Sequence, residues 1–183
     1  MAALDGKTVA VVVANKGVEQ VEMTEPRQAL DDAGATTLLV SLDGGEVRGY
    51  EHDLEPRDTF SSDKAIGDIS AHGIDALLLP GGTVNADTVR LNETAVGLIR
   101  SVSDAGKPIG AICHGPWGLV EADIVRGKTL TSYPSLRTDI RNAGGTWVDE
   151  EVHVDGRNGF VLVTSRGPAD VPAFSKAIVD AFA

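Results

Sequence analysis

The sequence predicts an α/β fold, a doubly wound and mostly parallel sheet sandwiched by helices. Short continuous apolar runs at Thr8–Ala14, Ile74–Leu79 and Pro108–Ile112 have the composition of strands buried on both faces. Each run gives way to a turn built from Asn, Gly, Pro or other small residues, and then to a stretch of helical period. This alternation generates βαβ units, whose crossover is right-handed in nearly all parallel sheets.

Taken in order, Thr8–Ala14 is the opening strand, closed by Asn15-Lys16-Gly17. From Val18 the apolar residues Val21, Met23, Ala29 and Leu30 recur among Glu and Gln at helical spacing, and Gly34 stands as the C-terminal cap. Thr36–Leu42 is a second buried strand. Between Gly44 and Asp68 the chain is polar and irregular, with Gly44-Gly45, Pro56 and Ser61-Ser62-Asp63, which predicts hairpins or an excursion from the sheet. Ile74–Leu79 runs into Pro80-Gly81-Gly82, and Val89–Val102 has helical periodicity. Pro108–Ile112 is a further strand, and Pro116–Val125 a helix that Arg126-Gly127 breaks. Beyond Leu130, a helix is expected over Ser135–Ala143, a hairpin of Val152–Val154 with Val161–Thr164 about Asp155-Gly156, and a closing helix over Val171–Phe182.

With 183 residues and 42% hydrophobic content, the chain predicts one domain over residues 1–183. It holds one cysteine, and its start has no charged segment followed by an apolar one, so the cytoplasm is the expected location. No apolar run approaches the roughly 20 residues that span a bilayer, so a membrane protein is not expected. A formal net charge of −11 argues against general affinity for nucleic acid or anionic lipid and favours a small-molecule substrate. Neither a metal-ligand spacing nor a phosphate or dinucleotide loop is present, so no cofactor is expected.

The chemistry concentrates at Ala111-Ile112-Cys113-His114-Gly115, between a buried strand and a helix. A tight strand-to-helix turn with small residues on either side holds its central residue in strained geometry and lifts the side chain above the sheet, as in a nucleophile elbow. The helix N-terminus ahead of it predicts a lowered thiol pKa. Gly81 and Gly82 end a neighbouring strand on the same edge, and a backbone N–H there together with that of His114 could bind an oxyanion. A lone cysteine after an apolar strand is more often inert and buried, but this turn reverses the preference. Glu22, on the first helix near the same edge, is the candidate acid that shuttles protons if burial keeps it neutral. Glu19 and Glu25 are expected at the solvated surface. His114 adjoins the cysteine without assured contact, His52 and His72 are expected to be exposed, and the His153-Val154-Asp155 triplet is read as coincidence.

Ala111-Ile-Cys-His-Gly-Pro116, Leu79-Pro-Gly-Gly82, Arg90-Leu-Asn-Glu93 and Thr131-Ser-Tyr-Pro134 together resemble the PfpI branch of the PfpI/ThiJ (DJ-one) superfamily, and the resemblance implies its flavodoxin-like, class I glutamine amidotransferase-like fold. Gly17-Val-Glu-Gln-Val-Glu22, Trp147-Val-Asp149 and Ser165-Arg166 extend the likeness over nearly the whole chain. The resemblance implies a reactive Cys113, an acid at Glu22, and His114 oriented by an acid of a neighbouring subunit at the position of Asp87. It further implies substrate or oxyanion contacts at Gly81, Gly82 and Tyr133, and assembly as a homodimer or hexamer. Two positions depart from the pattern: Ala111 replaces a common glycine, and Ala86 stands where a proline often precedes the acid.

Activities reported in that family are intracellular peptidase, glutathione-independent glyoxalase and protein deglycase, often under stress response. The leading expectation is cysteine-dependent chemistry on small α-oxoaldehydes or their adducts with proteins. The alternatives are a cysteine peptidase acting on peptides, and a non-catalytic redox sensor or chaperone governed by oxidation of Cys113. Amidotransferase activity is disfavoured, since His153 lies at a hairpin and no synthetase domain is present to take ammonia.

Overall fold

In the computed structural model, which describes residues 2–183, the chain runs β1 (Thr8–Val13), β2 (Lys16–Glu19), α1 (Gln20–Asp32), β3 (Thr36–Ser41), β4 (Glu46–Glu51), β5 (Glu55–Ser61) and β6 (Lys64–Ala65). It continues with β7 (Ala76–Leu79), α2 (Thr83–Leu91), α3 (Glu93–Asp104), β8 (Ile109–Ile112), α4 (Pro116–Glu121), β9 (Thr129–Leu130) and α5 (Arg137–Asn142). The remaining elements are β10 (Thr146–Trp147), β11 (Val152–Asp155), β12 (Leu162–Ser165) and α6 (Val171–Phe182).

Seven strands form the main sheet in the order β11-β12-β8-β7-β1-β3-β6, parallel throughout except where β11 turns back on β12. The period of two along β1 divides its side chains between two cores. Ala10 and Val12 pack with Leu98, Ile99, Val102 and Leu119 of the helices on one face. Val9, Val11 and Val13 pack with Met23 and Leu30 of α1 and with Phe174 and Ile178 of α6 on the other. Both faces are covered, which is why these strands read as unbroken apolar runs. Leu77 and Leu78, wholly buried, each contribute about 2 kcal/mol by leaving water.

From β1 the chain passes to β3 on one side and later returns to β7 on the other. This reversal is a topological switch point, and the loops leaving β1, β7 and the adjacent β8 converge above it. A small second sheet, β2-β4-β5, stands over that edge.

Several expected boundaries move. Lys16–Glu19, expected as the end of a turn and, from Val18, the start of a helix, is a strand, because it pairs with β4 in the second sheet. The helix expected over Val89–Val102 is two helices: Thr83–Leu91 was not anticipated, and Asn92 caps the next helix by accepting the Ala95 N–H at 3.0 Å. The helix expected to reach Val125 stops at Glu121, shortly before Asp123 takes a left-handed φ of 54°. The hairpin predicted about Asp155-Gly156 forms as β11 and β12. Between Gly44 and Asp68 the excursion is the β4–β5 hairpin. Among the described residues no helix is long and apolar enough to cross a membrane.

Candidate active site

Cys113 follows directly on β8 with φ = 62°, a left-handed backbone that costs a non-glycine residue about 1–2 kcal/mol. Its N–H is held by the Ser165 carbonyl at 3.0 Å and its own carbonyl by the Tyr133 N–H at 2.8 Å, so the elbow is pinned from both sides. Gly115 passes against the Leu79 carbonyl, where a Cβ would collide with it. The side chain is 5% exposed and reaches a cavity of about 240 Å³ lined by Glu19, Glu22, His52, Asp53, Gly82, Thr83, His114, Tyr133 and Pro168.

Glu22 is completely buried on the first turn of α1, and its Oε2 accepts the Gly81 N–H at 2.9 Å. A Cβ on Gly81 would overlap both Glu22 Oε2 and the Cys113 side chain, so the bare glycine is what lets acid and thiol meet. Burial, reinforced by the charge of Glu19 and opposed by the Gly81 N–H, pushes the Glu22 carboxyl up to about 8. It therefore carries a proton at neutral pH. Glu19, expected at the surface, is only 5% exposed and faces the same cavity, because β2 turns it inward; Glu25 is exposed.

The thiol is a correction to expectation. Burial raises its pKa above the ordinary cysteine value and the charge of Glu22 raises it further, while the backbone N–H groups of Gly82 and His114 pull it down. A helix of six residues, α4, provides too little dipole to outweigh that burial. The resting site thus holds a neutral thiol beside a neutral acid. Gly82 and His114 present their N–H groups at the sulfur, whereas the Gly81 N–H is committed to Glu22.

His114 does touch the cysteine: its Nδ1 lies 3.2 Å from Sγ. Its imidazole stacks on Tyr133 with ring centroids 4.6 Å apart and leans on Trp117 at 5.2 Å. Burial lowers its pKa, against the opposing pull of Asp53, so the ring is neutral at pH 7 and free to take a proton. On its far side, Nε2 lies 3.4 Å from Thr83 Oγ1 and 3.3 Å from Ser135 Oγ. Asp53 accepts from Thr83 twice, from the N–H and from the hydroxyl, each at 2.6 Å.

Asp87 lies on the exposed face of α2 with Arg90 Nε 3.1 Å away, and within one copy of the chain it is not brought to His114. His52 is exposed but lines the cavity, His72 is exposed elsewhere, and His153 pairs with Glu150 at 2.7 Å. Asp53, Thr83 and Ser135 were not singled out from the sequence. The last two carried a signal, as hydroxyls directly after Gly81-Gly82 and Tyr133-Pro134; Asp53 carried none, in a polar hairpin far along the chain.

The geometry defines an α/β protein with a nucleophile-elbow cysteine flanked by a buried acid and a histidine. The chain belongs to the DJ-1/PfpI family, whose model matches residues 7–181. Over 171 residues it is 39% identical to "Deglycase PH1704" of Pyrococcus horikoshii, covering 93% of this chain and 96% of that one. It is 36% identical over 171 residues to "Protein/nucleic acid deglycase 2" of Escherichia coli, covering 93% and 94%. The structure of Drosophila melanogaster DJ-1beta superposes with a TM-score of 0.83 at 29% identity, covering 95% of this chain and 89% of that one.

Proposed function

We propose that this protein is a Cys113-dependent enzyme acting on small α-oxoaldehydes or their early adducts with proteins, a glyoxalase and deglycase chemistry. The observation that carries it is the buried Glu22, neutral at rest with a pKa near 8, packed against the one cysteine of the chain. Moving a proton between adjacent carbons needs a single group able to take and return it near physiological pH. The cavity, at about 240 Å³, suits a three-carbon carbonyl compound better than an extended peptide. Relatives named as deglycases support the same class.

For methylglyoxal the steps balance without an external redox partner. The thiol proton passes to His114 Nδ1 as sulfur adds to the aldehyde carbon, and the new oxyanion is held by the Gly82 and His114 N–H groups until His114 hands that proton on to it. Glu22, in the fraction of molecules that a pKa of about 8 leaves ionised, takes the hydrogen from that carbon and returns it to the neighbouring one while the hydroxyl proton crosses to the neighbouring oxygen, converting the hemithioacetal to a thioester of lactate. Water then cleaves the C–S bond, releasing lactate and restoring the thiol. An adduct on a lysine or arginine side chain enters the same sequence, with the protein amine leaving as the thioester precursor forms.

The test is lactate formation from methylglyoxal by the purified protein beside Cys113→Ala and Glu22→Gln, with a peptide panel in parallel. Loss of turnover in both variants is expected. Cleavage of peptides alone would replace this reading with a peptidase, and peroxide reactivity of Cys113 without any turnover would replace it with a sensor.

A further inference from the structure

The reactive cavity is not the whole of the depression above this edge of the sheet. A larger chamber of about 440 Å³ opens beside it, and the two share Glu19, His52 and Pro168, so they form one cleft. A three-carbon carbonyl compound needs only the inner part, about 240 Å³. The outer chamber has room for the arm that carries an adduct.

Most polar side chains around the outer chamber are already committed. Gln20 donates to Asp58 Oδ2 at 2.7 Å and accepts the Asp58 N–H at 2.9 Å, Thr24 donates to the Gln20 carbonyl at 3.0 Å, and Arg57 is ion-paired with Glu51. Glu19 is the acid left over. It is 5% exposed and borders both chambers, and among the described residues its carboxylate has neither an ion pair nor a hydrogen bond. A carboxylate held this far from water without a partner is costly, and a cation brought by a ligand relieves that cost. Tyr50 lines the same chamber with an aromatic ring, and Val21 and Pro168 add apolar wall. A carboxylate, a ring and an apolar wall together suit the flat guanidinium and methylene stem of arginine.

We propose that the outer chamber is a guanidinium subsite in which Glu19 holds the arginine arm of a methylglyoxal adduct, making Glu19 the specificity-determining residue of the cleft. This deepens, and rests on, the reading above that the protein acts on early adducts. It also couples recognition to chemistry. The charge of Glu19 is, after burial, the main cause that keeps Glu22 neutral. A guanidinium seated on Glu19 offsets that charge, so an arginine-borne adduct brings the cation that helps to ionise its own base, whereas free methylglyoxal brings none. The other titratable groups around Glu22 are Cys113 and His114 from the elbow, His52 and Asp53 from the β4–β5 hairpin, and Tyr133. The one guanidinium that already lines the cleft, that of Arg57, is held by Glu51.

Binding is read on the full chain by chemical-shift titration with Nα-acetyl-L-arginine amide and with Nα-acetyl-L-citrulline amide, which has nearly the same shape without the charge. The arginine amide is expected to bind about 10-fold or more tightly than the citrulline amide, with shifts centred on Val21 and Tyr50, and to lose that advantage in Glu19→Gln. ¹³C shifts of labelled glutamate follow Glu22 directly. Its titration midpoint, near 8 in the free protein, is expected to fall when arginine amide saturates the site, and to fall without ligand in Glu19→Gln. At pH 7, methylglyoxal turnover by Glu19→Gln should therefore rise about threefold, while its preference for the preformed acetylarginine adduct over free methylglyoxal drops about 10-fold or more.

Equal binding of the two amides by the wild-type protein, or shifts that avoid this chamber, overturns the proposal, and both are read on the unaltered chain should Glu19→Gln fail to fold. A Glu22 midpoint that saturating arginine amide leaves unmoved overturns the coupling. If the arginine amide binds as expected but neither methylglyoxal nor its adduct is turned over, the guanidinium subsite holds and the proposed function fails.

Discussion

Glu22 is a carboxylic acid that its surroundings keep neutral, and its energetic cost has a definite sign. The folded form retains the proton over a pH range in which the unfolded chain has lost it, so this contribution to stability is whole below pH 4.5 and drains away as the pH rises to about 8. The gap between 4.5 and about 8 corresponds to about 5 kcal/mol. Glu22→Gln should therefore unfold at higher temperature than wild type at pH 8, with the difference shrinking toward pH 4, as thermal scans at the two pH values will show. The same ionisation sets the rate. With Glu22 acting as the base toward carbon, kcat/KM for methylglyoxal should climb tenfold per pH unit below about 8 and level off above it. Gly81→Ala probes the contact between acid and thiol: it should cost about 1–3 kcal/mol in denaturant melts and abolish turnover, since the added methyl occupies the space that Glu22 and Cys113 share. Cys113 and Glu22 were legible in the sequence, the first from its turn and the second from its place on the first helix. The state of the thiol was not, because burial is set by residues distant in sequence, Glu22 and Tyr133 among them.

At the scale of elements, the strands buried on both faces were the most legible. Thr8–Val13 and Ala76–Leu79 announce themselves as continuous apolar text, since nothing on either face needs to be polar. Elements that depend on partners were hidden. β2 is four residues long and is a strand only because β4 lies beside it, and α2 begins in polar text whose first N–H is capped by Asp53 from another sheet. Lys128 belongs to this hidden class. It is wholly buried, and its Nζ reaches the carbonyls of Asp155, Arg157 and Phe160, tying the segment between β11 and β12 to the start of β9. Burial lowers its pKa, with the Asp155 carboxylate opposing. Lys128→Met removes the donor and leaves three carbonyl acceptors unsatisfied; a loss of about 2–4 kcal/mol is expected by chemical denaturation.

For the whole molecule, a net charge of −11 on 183 residues surrounds the site with a repulsive field for polyanions. A neutral substrate such as methylglyoxal does not feel that field, so its kcat/KM should be flat between low and physiological salt. Rate measurements over that salt range check this. The main sheet and its covering helices carry Cys113, Glu22 and the glycine turn, whereas Asp53 arrives on the β4–β5 hairpin of the smaller sheet. Nucleophile and base environment are therefore set from different sheets, so a change in the hairpin that displaces Asp53 reaches the surroundings of His114 through Thr83 and leaves the strand before Cys113 as it is.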